Sequence, residues 1–319
     1  MKESRASAVS ARSGGHPDGV EKRVIALGFF DGVHRGHAAL LRRTVEQARA
    51  LGACPCALTF DDHPEAHIIG HSVPLLNSVT DRADMMRHLY GIENVIFARF
   101  DNSLMHMDWK SFIRDMLVGR FQAVHVVAGY NFHFGHKGEG NPARLRAFCA
   151  ELGVGCDIVD QVEIEGIPVS STYIRKLVAQ GDMERAELFL GHPHCLSGAV
   201  GHGNRLGSKI GVPTVNLSIP EPVLHPARGV YVSHVCFDGQ RRPSVTNVGV
   251  RPTVALSGQV TVETSLLDFS GDLYGQTLWV EFHRFLRPER AFDTLEALKK
   301  QIDDDLVKAR RAHGLLQKK

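Results

Sequence analysis

The texture of the sequence changes once, near Gly191, and that change limits the fold more than any other feature. Before it, short apolar runs alternate with stretches of helical spacing. Val24–Gly28 reads as a buried strand, Ala38–Leu51 as a helix closed by Gly52, and Cys54–Phe60 as the next strand. Helix at Asp81–Leu89, strand at Asn94–Phe97, helix at Trp109–Val118 and strand at Val124–Ala128 follow. Pro142–Leu152 is helical, and Gly155–Val159 is a further strand. Strand and helix repeated in this way predict a parallel sheet covered on both faces, with ligands beyond the carboxyl ends of its strands. Thr172 to Leu190 is helical twice, around Gly181-Asp182.

After Gly191 six short alternating stretches appear: Ser197–Val200, Thr214–Leu217, Gly229–Phe237, Ser244–Val248, Val260–Asp268 and Thr277–Arg284. Gly, Pro and Asn separate them and no helical pattern intervenes, which predicts a small antiparallel β-barrel. An amphipathic helix over Phe292–Ala309 closes the chain. The expectation is therefore an α/β domain over 21–188 and a barrel domain over 189–319. Residues 1–20, polar and rich in Ser, Gly and Arg, read as a disordered tail.

A length of 319 residues suits two cores. The formal net charge of +2 gives no reason to expect nucleic acid or a membrane surface as partner. No apolar run reaches the length of a membrane span. The six cysteines form no C-x-x-C pair, so reduced thiols and a cytoplasmic location are expected. With 18 histidines in the chain, a lone His says little.

Two segments concentrate chemistry. Gly28 through His37 (GFFDGVHRGH) follows the first strand and opens the first helix. Gly28, Gly32 and Gly36 let the backbone approach a ligand, and a helix N-terminus favours anions. His34 and His37 lie three apart, where imidazolium donors would stabilise charge building on a triphosphate. The bland alternative is a Gly-rich turn with two incidental histidines. The second segment, Gly201 to Asn216, is a Gly-rich loop containing Gly203, Gly207 and Lys209. It runs into a strand where Thr214 and Asn216 share a face, and their neutral oxygens suit Mg²⁺ bound with nucleotide phosphates. A plain hairpin loop is the alternative there.

The order of these segments resembles the prokaryotic bifunctional riboflavin kinase/FAD synthetases, from about Val24 to Arg310. Besides the G-x-F-D-G-x-H-x-G-H turn, Thr59-Phe60-Asp61-Asp62-His63-Pro64, Gly129-Tyr130-Asn131-Phe132-His133-Phe134-Gly135 and Ser170-Ser171-Thr172-Tyr173-Ile174-Arg175 are similar to family motifs. So are Pro213-Thr214-Val215-Asn216, Gly229-Val230-Tyr231, Asn247 to Thr253, Val262-Glu263-Thr264 and Leu286-Arg287-Pro288-Glu289. The resemblance implies a Rossmann-like nucleotidyltransferase domain before the barrel. It implies that Mg-ATP phosphorylates riboflavin to FMN and then adenylylates FMN to FAD.

It further implies ATP-phosphate contacts from Gly28, Phe29, Asp31, Gly32, Ser171, Thr172 and Arg175. Flavin or nucleotide contacts fall to Phe60, His63, Pro64, Asn131 and Arg287, and the general base of the kinase is Glu263. Read alone, Ser171 or Thr172 would be a helix N-cap and Glu263 a solvated strand residue. Asp62, Tyr173 and Ser208 depart from the family pattern, which leaves open a monofunctional enzyme or a non-catalytic flavin-binding protein. A monomer or weak homo-oligomer is expected.

Overall fold

The computed structural model describes residues 21–64, 66, 70–201, 214–250 and 260–315. The expected tail at 1–20 and the loop positions Gly203, Gly207, Ser208 and Lys209 lie outside the described residues. The chain divides into two compact units. The first holds residues 1–30, 36–71 and 83–162; the second holds 31–35, 72–82 and 163–319.

The first unit is built on five parallel strands: β1 (Arg23–Leu27), β2 (Cys54–Phe60), β3 (Asn94–Ala98), β4 (Ala123–Gly129) and β5 (Gly155–Val159), in the order β3-β2-β1-β4-β5. β1 is therefore central and pairs with both β2 and β4. Val24 to Leu27 are buried, as expected of a strand covered on both faces. Successive strands leave β1 in opposite directions, so the turn after Leu27 opens at a topological switch point. Helix α1 (Arg35–Leu51) follows that turn and buries Ala38, Leu40, Leu41 and Ala48. Helices α2 (Val79–Tyr90) and α3 (Pro142–Glu151) come later; Asn141 caps α3 by accepting from Arg144 N, with Pro142 in its first turn. The helix expected from Trp109 is α-helical only over Trp109–Ser111, then π-helical over Phe112–Arg120. Periodicity cannot separate these two windings over so short a stretch. Cys54 and Cys56 do share a face, with their sulfurs 3.7 Å apart, and all six cysteines are free thiols.

The second unit contains a two-stranded hairpin, β6 (Glu163–Ile164) with β7 (Ile167–Pro168), which has too little length for its pattern to be read from sequence. Helices α4 (Ser171–Gln180) and α5 (Met183–Leu190) follow. Their joint at Gly181 and the end at Gly191 both take left-handed conformations, φ 79° and 88°. The cap of α4 is Ser170, whose Oγ accepts from Tyr173 N, in place of the expected Ser171 or Thr172.

The barrel is closed. Its strands β8 (His194–Gly201), β9 (Val215–Ser218), β10 (Gly229–Phe237), β11 (Gln240–Val250), β12 (Val260–Leu266) and β13 (Thr277–Pro288) run in the order β10-β11-β12-β9-β8-β13. Alternation sorts their side chains onto two faces. Tyr231, Val235, Val248, Val262 and Phe282 join one apolar cluster with α4 and α5. Between them runs a buried hydroxyl ladder: Ser233 Oγ meets Ser244 Oγ (2.8 Å) and Thr246 Oγ1 (2.7 Å), and Thr246 meets Thr264 (2.9 Å). Three hydrogen bonds thus join the four hydroxyls, and each has a partner, which offsets their burial. The opposite face carries Val230, Val232 and Val245, which pack with Ala309 of helix α6 (Leu295–Ala312). That helix begins after the Thr294 cap.

Candidate active sites

The turn from Gly28 to His37 is tightly wound. Phe30, Gly32 and Val33 all have positive φ (60°, 79° and 41°). At Gly32 an added Cβ would overlap the Leu76 side chain, so glycine is required there by both conformation and space. Gly28 N donates to Leu58 O, and Thr59 Oγ1 donates to Phe29 O (2.9 Å), which ties the start of the turn to β2.

Asp31 is 2% exposed and organises its surroundings. Its Oδ1 accepts from Leu76 N (2.8 Å), and its backbone carbonyl accepts from Ser171 Oγ (2.9 Å). Its Oδ2 faces Arg175 Nε at 3.5 Å, longer than a good charge-assisted hydrogen bond. Burial dominates, opposed by Arg175, and raises the carboxyl to about 6. Asp31, Ser171 and Arg175 are thus brought together, while Thr172, on the same helix, is exposed.

His34 is buried, 6% exposed, and burial lowers its imidazole to about 3. The expected imidazolium at this position is therefore corrected to a neutral ring, because charging it would cost its hydration. His37, in the first turn of α1, is partly buried with its ring 5.2 Å from that of Phe30.

The first unit also contains a cavity of about 600 Å³ walled by aromatic rings, including Phe60, Phe100, Phe112, Phe132 and Phe134, with Pro64 at its wall. Phe132 stacks on Phe134 at 5.5 Å, and Phe60 meets Phe100 edge-on at 5.3 Å. His106 and His136 stack at 5.2 Å on the same wall. Gly135, with φ 74°, lies so close to Trp109 that a Cβ would come within 2.7 Å of that side chain. Phe60 and Pro64 therefore face a space suited to a flat ring system. His63 instead packs its ring against Phe29 (4.5 Å), and Asn131 is exposed off the cavity wall. Phe100, His106 and His136 carried no sequence signal beyond being aromatic residues near loops.

In the second unit a cavity of about 360 Å³ lies between the outer barrel face and α6. Thr214, Asn247, Glu263, Ser265 and Arg287 line it. Three register-paired strands supply the polar side: Glu263 stands opposite Asn247 of β11 and Asn216 of β9. Asn216 is thus beside Glu263 in the ladder but not on the cavity wall. Arg287 is held by Asp305 through Nε (2.9 Å) and NH2 (2.8 Å), and Gln301 Nε2 donates to the other Asp305 oxygen (2.8 Å). Arg290 donates in turn to Gln301, and Arg287 and Arg290 both stack on Phe292, at 5.9 and 4.9 Å. The spacing Arg287 to Asp305 crosses a strand and a helix, so only the fold reveals Asp305 and Gln301. Thr214 and Glu263 place neutral and acidic oxygens on one wall, the donor set that Mg²⁺ prefers.

A family model described as FAD synthetase matches residues 17–173, and one described as riboflavin kinase matches residues 190–313. A bifunctional riboflavin kinase/FMN adenylyltransferase of Pseudomonas fluorescens is 37% identical over 287 residues, 90% of this chain and 92% of that protein. The chain belongs to the bifunctional riboflavin kinase/FMN adenylyltransferase family. The family's Escherichia coli (strain K12) member is 35% identical, over 92% of this chain and 93% of its own length. Among solved structures, a Streptococcus pneumoniae chain described as a macrolide-efflux protein matches with a TM-score of 0.80 and 28% identity, over 93% of this chain and 95% of that one. That likeness carries the fold, a parallel-sheet unit followed by a closed barrel. Among the described residues no helix is long and apolar enough to cross a membrane.

Two of the departures from the family motifs have local explanations. Tyr173 packs on Phe189 (4.8 Å) and accepts from Arg185 Nε (3.0 Å), so it serves the α4–α5 joint. Asp62 is exposed and accepts from His63 N (2.7 Å).

Proposed function

We propose that this chain makes FMN from riboflavin and FAD from FMN, consuming one Mg-ATP in each reaction. The observation that carries the reading is the presence of two distinct cavities in two units, each matching its own family model: a carboxylate-bearing one on the barrel and an aromatic one beside the parallel sheet.

In the barrel, Glu263 accepts the proton of the riboflavin 5′-hydroxyl as its oxygen attacks the γ-phosphorus of ATP, and ADP leaves. Arg287, held rigid by Asp305, contacts the flavin substrate. Thr214, with Asn216 beside Glu263 in the ladder, would hold Mg²⁺, which would neutralise phosphate charge on ATP. Gly203, Gly207 and Lys209 take the nucleotide phosphates.

In the second reaction, a phosphate oxygen of FMN attacks the α-phosphorus of a second ATP and pyrophosphate leaves. No covalent enzyme intermediate is needed, so the protein supplies alignment and charge stabilisation. The Gly28–His37 turn presents backbone N–H groups at the start of α1, joined by His37 and by a neutral, hydrogen-bonding His34. Ser171, Thr172 and Arg175 add phosphate contacts, and Asp31 holds Ser171 and Arg175 in place. The aromatic cavity with Phe60 and Pro64 accepts the isoalloxazine ring by stacking. His63 and Asn131 contribute from the rim. The reactions fit a cytoplasmic enzyme acting as a monomer or weak homo-oligomer without nucleic acid.

The test is incubation of purified protein with riboflavin and Mg-ATP, with flavins separated by chromatography over time. FMN should appear first and FAD should then accumulate. FMN without FAD refutes the adenylyl-transfer half. Unchanged riboflavin, with added FMN still converted to FAD, refutes the kinase half.

A further inference from the structure

Away from both cavities, the second unit gathers imidazole and carboxylate groups on the outer barrel surface. His234 lies on β10; Glu281 and His283 lie on the adjacent β13, with Glu281 directly opposite His234 in the ladder. His234 Nδ1 is 2.9 Å from His283 Nε2, and Glu281 Oε2 is 3.6 Å from the same nitrogen. One donor atom from each of the three lies within 4.8 Å of the others.

Strand geometry alone would not produce this. The pairing passes from Val232↔Arg284 to Ser233↔Phe282, so His283 is the extra residue of a β-bulge. A bulge re-aims a side chain, and here it swings His283 toward His234. The three residues are partly buried, and nothing in the two proposed reactions uses them.

We infer that His234, Glu281 and His283 form a binding site for a divalent transition metal such as Zn²⁺. Two imidazole nitrogens and one carboxylate oxygen are a common zinc donor set. Bonds of about 2.0 Å in a tetrahedron put ligand atoms about 3.3 Å apart, and the two measured separations bracket that spacing. Three protein ligands leave a fourth position for solvent.

The site has a built-in competitor. The Arg241 guanidinium donates through Nε to Glu281 (2.7 Å) and stands 3.3 Å from His234 Nε2 and 3.2 Å from His283 Nε2. At Glu281 Oε2 and His283 Nε2 it occupies the same lone pairs that a metal would take. The Arg241 side chain is 50% exposed, so it can turn into solvent when the ion enters. A bound ion would then cross-link β10 and β13. Four residues further along each strand, the same pair contributes Val230 and Arg287 to the barrel cavity.

The competitor makes the site testable against a purely structural ion-pair network. The untagged full-length chain, stripped with chelator, is titrated with ZnCl₂ by calorimetry, and bound metal is counted by mass spectrometry. The wild type should take one Zn²⁺ at this site. Loss of a ligand should weaken binding by more than about 100-fold in His283→Ala and in the near-isosteric Glu281→Gln, since even outer-sphere changes cost about 10–100-fold. Arg241→Ala should bind about tenfold more tightly, because a rival for the lone pairs is gone. Circular dichroism checks that each variant is folded. Stoichiometric binding that survives the His234→Ala/His283→Ala double change overturns the assignment. So does failure of both the wild type and Arg241→Ala to bind.

Discussion

Replacing Asp31 by Asn should stabilise the protein at neutral pH, although it removes an acidic partner from Arg175. The carboxyl is raised from an ordinary value near 3.8 to about 6, chiefly by burial. Each tenfold change in proton affinity is worth about 1.4 kcal/mol, so the displacement amounts to about 3 kcal/mol. The sign follows from which state holds the proton. Below pH 3.8 both folded and unfolded chains are protonated here, and Asp31 contributes nothing to the pH dependence. Between 3.8 and 6 the unfolded chain ionises while the folded one keeps its proton, so stability falls as pH rises. Above 6 the folded protein carries a buried carboxylate and the full penalty. An Asn side chain keeps an oxygen for Leu76 N but sets an amide against Arg175, which cancels part of the gain. A net stabilisation of about 2 kcal/mol at pH 8, shrinking to none below pH 4, is expected from urea unfolding of both proteins across that range. A variant that becomes progressively less stable than the wild type as pH rises would refute the reasoning. It would mean that Arg175, at 3.5 Å, outweighs burial.

Four other outcomes follow from the sites and the packing. Glu263→Gln should lower FMN formation by about 100-fold or more while FMN is still converted to FAD, read from flavin chromatography with each substrate supplied separately. His37→Ala should do the reverse, slowing FAD formation by about 100-fold or more with riboflavin phosphorylation intact. Asp305→Ala should cost about 3 kcal/mol in denaturant unfolding, because Arg287, with its side chain 16% exposed, loses its buried partner; a near-neutral result would mean the guanidinium escapes to water. Gly229→Ala should cost about 2 kcal/mol or more in the same assay, since an added Cβ would overlap the backbone carbonyl of Arg287, which cannot move without opening the β10–β13 ladder.

The sequence made the layer architecture legible because the periods differ: 3.6 residues in the first half, two in the second, with glycine marking the joints at Gly181 and Gly191. Strand β10 has the bounds expected of it, Gly229–Phe237, since turn residues bracket an uninterrupted alternation. Strand β13 runs past the expected Arg284 to Pro288, where side-chain alternation breaks at the bulge but the backbone ladder does not. At the sites, motif residues near one another in sequence could be named in advance: Asp31 with the turn, Ser171 with Arg175, Thr214 with Asn216. The partners that fix them could not. Leu76 N holding Asp31, Asp305 holding Arg287 and Phe100 facing Phe60 are each contacts between segments with no shared pattern. His34 shows the same limit from another side. Its position in the turn was readable, but its neutrality depends on burial that no local spacing reports.

The central place of β1 bears on how the Gly28–His37 turn behaves in time. A strand paired on both edges and buried on both faces has no partial opening that frees it alone, so its amides exchange with solvent only when the whole sheet comes apart. The turn is thus anchored, at its start, to the slowest-exchanging part of the sheet. In the proposed nucleotide site, backbone donors fixed there would hold their aim between turnovers and would not need to be reassembled for each nucleotide.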